Sequence, residues 1–467
     1  REKEGLTMDI PAHIFREYDI RGLAEEELNT KNVRAIGHAF GTILRKNGVR
    51  LATVGGDVRS SSPRIMADIA WGLNAAGLDV TDIGTVMTPT FYYSLYSEGV
   101  GGGVMVTGSH NPKEFNGLKL ALGKATLYGQ EIQEVLSVIK NDGFFTAEES
   151  GSLGHLDVKP AYLEMLAERL KLGPRKLNVV ADAGNGTASL FIEPFLRKLG
   201  VDYTLLFATP DGRFPNHHPD PVKRENLVDL IRTVRETGAD LGVGFDGDAD
   251  RIGVVDEKGE VIWGDILMAL YWQEILPKHP GAEAIVEVKS SQALVDEIRR
   301  LGGKPVFWKA GHSLIKAKMR ELKALFAGEV SGHMFFADEF FGFDDSFYAA
   351  GRLMRILSNT DKSLSELVAP LPHYHSTAET RIDCADEIKF GVIESIREAA
   401  LKDHEAITVD GVRILYPEGW GLVRASNTQP VIVARVEGRT PEALQANMAD
   451  LKARIRAAGV GEFDWEF

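Results

Sequence analysis

The sequence predicts an α/β protein whose layered units recur along the chain and end in a smaller α+β unit. Three observations predict it. Short apolar runs at 51–55, 104–106, 177–182, 241–245 and 284–288 alternate with stretches of helical period, the grammar of mostly parallel sheets. That alternation recurs twice after its first appearance, and beyond Pro372 it gives way to a different mix. At 467 residues the chain also exceeds one core, and at ~150 residues per domain it should hold about three.

The elements follow in order. Asn29 or Thr30 caps a helix whose apolar face is Val33, Ile36, Phe40, Ile43 and Leu44, with Gly48 as its stop. A strand over 51–55 leads to a helix opened by Ser62-Pro63, where proline's missing N–H costs nothing. Strands follow over 78–83 and 104–106. The grammar restarts with a strand over 177–182, a helix through Leu199, a strand over 203–207, a helix over 226–237 and a strand over 241–245. A third round has strands over 284–288 and 306–308 with helices over 290–301 and 314–325. No residue-level repeat accompanies it, so the likeness is one of architecture. After Pro372 come a strand over 378–383, a helix over 388–401, two strands flanking 424–430 and a closing helix over 441–457. The expected boundaries are 1–153, 154–258, 259–370 and 371–467.

Composition narrows the function classes. Hydrophobic content of 44% with 26% charged residues is that of a soluble globular chain. No run approaches the ~18 apolar residues of a membrane span. The net charge of −14 argues against a nucleic-acid surface. It does not exclude an anionic small molecule, because at a Debye length of ~8 Å local Arg and Lys in a cleft outweigh distant carboxylates. The single cysteine, Cys384, excludes an internal disulfide and a cysteine-based zinc site. With a charged start lacking the apolar stretch of a secretory signal, the expected location is cytoplasmic.

Four stretches carry the chemistry. In Thr107-Gly108-Ser109-His110-Asn111-Pro112 the apolar run 104–106 stops at a cluster of turn formers, which presents Ser109 outward as a nucleophile or phosphate carrier requires. Asp246-Gly247-Asp248-Ala249-Asp250-Arg251 sets carboxylates at i, i+2 and i+4 on a tight loop. Three hard oxygens without a soft ligand suit Mg²⁺ or Ca²⁺. A calcium-binding EF-hand is rejected, since Arg251 stands where that loop needs glycine and strands flank it. Glu329 and Ser331 of Gly328–His333 fall on one side of an extended segment, where they could hold vicinal sugar hydroxyls. Arg424-Ala425-Ser426-Asn427-Thr428 offers a guanidinium, two hydroxyls and an amide, matched to a phosphate's acceptor oxygens. Lys289 stands at the end of the strand 284–288, where ligands of parallel sheets collect, and His312 opens a helix whose dipole favours anions. The Gly-rich 182–187 loop lacks the P-loop's Gly-Lys-Ser/Thr ending and reads as structural. Each stretch alone could be an ordinary polar turn.

In their order along nearly the whole chain, these stretches resemble the four signature loops of the α-D-phosphohexomutase family. The motif at 15–22, Phe-Arg-Glu-Tyr-Asp-Ile-Arg-Gly, is similar to the N-terminal motif of its phosphomannomutase/phosphoglucomutase type. Two positions depart from the pattern: Gly108 and Ala249 stand where alanine and glycine are common. The resemblance implies three α/β domains of one topology and a smaller C-terminal α+β domain around a central cleft. It implies that Ser109 carries the phosphoryl group, and that Asp246, Asp248 and Asp250 with a phosphoserine oxygen of Ser109 bind one Mg²⁺ per chain. Glu329 and Ser331 would hold the sugar's O3 and O4, and Arg424, Ser426, Asn427 and Thr428 the phosphate that is not reacting. Tyr18, Arg21, Lys119, Arg251, Lys289, His312 and His333 match positions lining the cleft, with Arg21, Lys119 and His333 as candidates for proton transfer.

The implied reaction interconverts hexose 1- and 6-phosphates through a hexose 1,6-bisphosphate, which also serves as activator. Because mannose and glucose share O3 and O4 and differ at O2, both sugars are expected substrates. The expected partners are hexose phosphates alone, with no nucleic acid or membrane, and the expected state is a monomer. A Mg²⁺-dependent sugar phosphatase and a non-catalytic hexose-phosphate sensor are the competing readings.

Overall fold

A computed structural model describes residues 10–426 and 429–467. The chain forms two compact units. The first runs to Trp263 and includes Ser331–Met334 and Phe343–Glu366; the second comprises Gly264–Val330, Phe335–Gly342 and Leu367–Phe467.

The first unit holds two sheets built on one plan. In the larger, Leu51–Gly56 lies parallel to both Asp79–Thr85 and Val100–Val106, and Phe115–Leu122 returns antiparallel to Val100–Val106. In the smaller, Asn178–Asp182 lies parallel to Asp202–Leu206 and Leu241–Phe245, and Ile252–Asp256 returns antiparallel to Leu241–Phe245. Counting from the first parallel strand, the spatial order is fourth, third, first, second in both. The Ile20–Leu23 strand, which begins inside the 15–22 motif, adds to the edge of the larger sheet, pairing with Phe115–Leu122.

Val100–Val106 and Leu241–Phe245 are buried along nearly their whole length, as central strands of sheets covered by helices require, whereas Asp79–Thr85 and Asp202–Leu206 are partly exposed. The helix Thr30–Lys46 is capped by Asn29, whose side chain accepts from Asn32 N at 3.0 Å. It buries Val33, Ile36, Phe40 and Leu44 in one core with Ile65, Ile69 and Leu73 of Ser62–Ala75.

The second unit repeats the plan in brief. Glu283–Glu287 and Lys304–Trp308 are parallel, and Phe326–Gly328 lies beside Glu283–Glu287 as the third strand. The helix expected over 314–325 is shorter and earlier, His312–Leu322. Lys323 takes a left-handed φ of +52° that ends it and turns the chain into Phe326–Gly328.

The C-terminal part is α+β, an antiparallel sheet in which Gly419–Ala425 pairs with Val412–Tyr416 and Val431–Gly438. The helices Asp386–Ala400 and Pro441–Ala457 pack Val392, Ile396, Leu444 and Leu451 against Ile414, Val423 and Ile432. Among the described residues, no helix is long and apolar enough to cross a membrane.

The common plan explains where the motifs fall. Residues 107–112 follow the third strand of the first sheet, 246–251 the third strand of the second, and 329–333 the third strand of the third. Residues 426–430 join Gly419–Ala425 to Val431–Gly438. The first three chemical loops thus leave the same kind of strand, and the fourth is a connection between antiparallel neighbours.

Candidate active site

In the first unit the Ser109 hydroxyl donates to Asp246 Oδ2 at 2.8 Å, although 137 residues separate them. Ser109 is buried and held at φ +49°, a left-handed backbone that only surrounding contacts can impose on a serine. Those contacts are plain. Ser109 N donates to Thr107 Oγ1 at 2.8 Å, and Thr107 Oγ1 and Gly108 N both donate to Asp57 Oδ2, at 2.9 and 3.1 Å. Gly108 has no room for alanine, because a Cβ there would lie 2.4 Å from Arg59 Nε.

Asp246, Asp248 and Asp250 are fully buried, and one oxygen of each lies within 4.8 Å of the others. Asp246 Oδ1 accepts the backbone N–H groups of Asp250 and Arg251, both at 3.1 Å, which folds the loop onto its first carboxylate. Ala249 pays for this turn with φ +59°, a strain of about 1–2 kcal/mol that glycine would not carry. That strain is the physical content of the departure seen at this position in the sequence.

Lys119 lies between two of the carboxylates. Its Nζ donates to Asp248 Oδ2 at 3.1 Å and to Asp250 Oδ2. Burial alone would lower its pKa, but Asp248 and Asp250 outweigh burial and hold it well above the ordinary lysine value. Burial, then repulsion from Asp248 and Asp250, raises the pKa of Asp246 well above the usual carboxylate range. Asp248 resists its own burial through Lys119 and the Thr88 hydroxyl, 2.5 Å away, and stays below that range. One lysine against three carboxylates leaves a negative excess, and the buried Asp248 Oδ1 and Asp250 Oδ1 accept no hydrogen bond. Hard, unsatisfied oxygens with spare negative charge fit a divalent cation.

His333 and Arg251 complete this centre. Arg251 Nε donates to His333 Nε2 at 3.0 Å, so the ring proton sits on Nδ1, which faces Asp344 Oδ2 at 2.9 Å. Arg21 donates to Asn111 Oδ1 at 2.7 Å and pairs with Asp19 at 2.5 Å, reaching the serine loop from its far side. Tyr18, half-buried, directly precedes that pair. The structure thus brings together Ser109, Arg21, Lys119, Asp246, Asp248, Asp250, Arg251 and His333.

The second unit gathers a different set. Lys289 Nζ lies 3.2 Å from both Glu287 Oε1 and Glu379 Oε2; burial alone would lower its pKa, but those two carboxylates outweigh burial and hold it above the ordinary value. Glu329 accepts from Gly311 N at 2.7 Å through Oε1, just before His312 at the start of its helix, while its buried Oε2 accepts nothing. Arg424 Nε pairs with Asp410 Oδ2 at 2.9 Å, and the Ser426 hydroxyl accepts from Gln429 N at 3.1 Å. Asn427 and Thr428 lie outside the described residues.

One expectation is corrected. Glu329 and Ser331 do not share one side of an extended segment: the third strand ends at Gly328, and 330–331 form a turn. Ser331 belongs to the first compact unit and Glu329 to the second. The 182–187 loop spends its groups on structure, with Asp182 accepting from Gly184 N at 2.8 Å and facing His217 at 2.9 Å, Asn185 N donating to Phe207 O at 2.9 Å and Thr187 N to Gly247 O at 2.9 Å.

Several participants carried no signal that sequence reasoning used. Thr88, Asp344, Glu287 and Glu379 are ordinary until folded. His110 Nδ1 lies 3.2 Å from Ser109 Oγ, and burial with nearby Arg251 and Arg21 keeps its pKa well below normal. Asp57 and Arg59 did have a usable signal, since both directly follow the end of a parallel strand.

A buried serine against a carboxylate triplet, with cations on either side, on strand-end loops of repeated α/β sheets, defines a phosphoryl-transfer enzyme. Models of the phosphoglucomutase/phosphomannomutase α/β/α domains I, II and III match residues 12–145, 160–259 and 263–374, and that of the C-terminal domain matches 379–455. A phosphomannomutase/phosphoglucomutase of Pseudomonas syringae pv. tomato is 44% identical over 448 residues, 96% of each chain. A phosphoglucomutase of Neisseria gonorrhoeae is 42% identical over 451 residues, 96% of this chain and 98% of its own. The crystal structure of a phosphoglucomutase/phosphomannomutase family protein from Burkholderia thailandensis superposes with a TM-score of 0.92 at 41% identity, covering 98% of this chain and all of that one. The chain belongs to the phosphoglucomutase/phosphomannomutase family and is a hexose-phosphate mutase.

Proposed function

We propose that this mutase interconverts the 1- and 6-phosphates of both mannose and glucose, with Ser109 as its phosphate carrier. The hydrogen bond from Ser109 Oγ to Asp246, across 137 residues, is the observation that carries the reading. Phosphorylated Ser109 gives its phosphoryl group to the free hydroxyl of a hexose phosphate: the bond from phosphorus to Oγ breaks and one to the sugar oxygen forms. The resulting 1,6-bisphosphate turns round, and Ser109 takes back the other phosphate.

The sugar hydroxyl must lose its proton. Lys119 is paired with two aspartates and Arg21 with Asp19, while the Nε2 lone pair of His333 accepts from Arg251 Nε at 3.0 Å. Our choice as acceptor is His333 once Arg251 releases Nε2, with Asp344 steadying the positive ring that forms. Asp246, Asp248 and Asp250, with a phosphoserine oxygen, would hold one Mg²⁺, which supplies charge neutralisation at the phosphoryl oxygens when bound. Glu329 and Ser331 would hold sugar hydroxyls, and Arg424, Ser426, Asn427 and Thr428 the second phosphate, with Lys289 and His312 beside them. Tyr18 and Arg251 would line the phosphoserine side. In this reading the segments 1–153, 154–258, 259–370 and 371–467 contribute one loop each, and the enzyme works as a cytoplasmic monomer.

Dual sugar use rests on contacts to O3 and O4, which mannose and glucose share. The names of the relatives, one citing both activities and one citing glucose alone, are compatible with it. Coupled assays with mannose 1-phosphate and glucose 1-phosphate, each with Mg²⁺ and a trace of 1,6-bisphosphate, should give kcat/KM values within about tenfold of each other. Strong preference for glucosamine phosphate, or inorganic phosphate released faster than sugar is isomerised, would overturn the proposal.

A further inference from the structure

The backbone of the serine loop converges on one side chain that touches no reacting atom. Residues 108–114 lie between the paired strands Val100–Val106 and Phe115–Leu122, so their carbonyls must find donors outside the sheet ladder. Gly108 O accepts from Asn111 N and Glu114 O from Ala24 N, and Arg59 serves carbonyls between them and the first of the next strand. Its Nη2 donates to Ser109 O at 2.9 Å and Asn111 O at 2.6 Å, and its Nη1 to Pro112 O at 2.6 Å and Phe115 O at 3.0 Å. Four carbonyls, 50 to 56 residues away, thus meet in one planar fork, a geometry lysine cannot reproduce.

The fork is itself held. Arg59 is 1% exposed, and its Nε lies 3.3 Å from Asp57 Oδ2. Asp57 also accepts from Thr107 Oγ1, Gly108 N, Arg59 N and Ser62 Oγ, tying the end of Leu51–Gly56 to the start of the serine loop. On the other face, the Phe214 ring lies 5.1 Å from the guanidinium carbon, within cation–π range. Phe214 adopts φ +51°, a strained backbone for an aromatic residue, in a segment that otherwise reads as a connection.

We propose that Arg59, set by Asp57 and covered by Phe214, is a positioning residue that fixes Ser109 for phosphoryl transfer. By gripping the Ser109 carbonyl and not its hydroxyl, Arg59 leaves Oγ free to face Asp246 while denying the loop its alternative backbone conformations. The inference rests on the reading of Ser109 as phosphate carrier, and a misplacement of ~1 Å at a reacting atom is enough to cost about 100-fold in rate.

The test compares wild type with Arg59→Lys and Phe214→Leu, using glucose 1-phosphate with Mg²⁺ and trace 1,6-bisphosphate. Intact-protein mass spectrometry measures phosphate on Ser109, and circular dichroism the folded fraction. For Arg59→Lys, kcat per folded, phosphorylated enzyme should fall about 100-fold with KM within threefold, since no substrate contact is removed. For Phe214→Leu, which removes the aromatic face covering Arg59, kcat should fall about tenfold with KM unchanged. A folded Arg59→Lys with kcat within threefold of wild type overturns the inference, as does a kcat that falls only with the folded fraction. Should Arg59→Lys not fold, Phe214→Leu decides, and an unchanged kcat there overturns it. Wild type that turns over without phosphate on Ser109 refutes the carrier reading instead, whatever the variants do.

Discussion

Gly247 offers a direct probe of whether Ser109 must sit where it does. A Cβ built on Gly247 would lie 2.3 Å from the Ser109 carbonyl oxygen, whereas ordinary contact begins near 3.4 Å. In Gly247→Ala that carbonyl must retreat by about 1 Å, and it cannot do so alone, because Arg59 Nη2 holds it at 2.9 Å. The displacement passes to Ser109 Oγ and its 2.8 Å bond to Asp246. A shift of that size at a reacting atom costs about 100-fold, or close to 3 kcal/mol of barrier. Coupled mutase assays should therefore show kcat falling by about two decades, with the thermal midpoint only modestly lowered. Gly244→Ala serves as the control, since a Cβ there meets nothing closer than Leu227 Cδ2 at 3.4 Å. If Gly247→Ala and Gly244→Ala had equal kcat values near wild type, placement of the serine by this contact would be wrong.

Two further outcomes follow from burial and charge. Burial raises the pKa of Asp345, which accepts from Tyr162 Oη at 2.7 Å, to about 7 against ~3.9 unfolded. The folded chain then binds the extra proton between those values. Asp345 favours folding fully below about pH 4, and that contribution, on the order of 4 kcal/mol, is lost as pH rises through about 7. Chemical denaturation of wild type and Asp345→Asn should show wild type losing ground to the variant from pH 5 to 8; parallel profiles would contradict this. Second, three buried carboxylates with one lysine should be relieved by a cation, so Mg²⁺ at 100 times its Kd should add ~2.7 kcal/mol. Calorimetry should show Tm raised by Mg²⁺, lowered again by chelation, and insensitive to both in Asp250→Asn; an equal response in the variant would refute the assignment.

What the sequence disclosed and what it withheld divide on a physical line. Ser109 was legible from the turn formers around it within six residues, and the aspartates at 246, 248 and 250 because their spacing within six residues already fixes one loop. The strand grammar was legible because burial on both faces demands continuous apolar runs such as 241–245. The strand-end position of Arg59 gave no hint of its partners, which lie 50 to 56 residues on, and Thr88 escaped notice because Asp248 is 160 residues away. Contacts of that kind exist only once the sheets stack their strand ends together. The error at Glu329 and Ser331 was local: period-two logic was applied to a segment whose strand had already stopped at Gly328. The helix beginning at His312 was misplaced because a lysine, Lys323, and not a glycine, supplied its left-handed stop.

The claim that bears the most weight is that Ser109 carries the phosphate passed between sugar positions. Enzyme treated with glucose 1,6-bisphosphate, then mixed for one turnover with excess glucose 1-phosphate, can be mapped by peptide mass spectrometry. With the phosphates of the bisphosphate labelled, the expected result is one labelled phosphate on Ser109 at the start, its passage to the sugar within the turnover time as Ser109 takes back the substrate's unlabelled phosphate, and neither event in Ser109→Ala. Isomerisation at the wild-type rate by Ser109→Ala, or a labelled phosphate found on another residue, would contradict it.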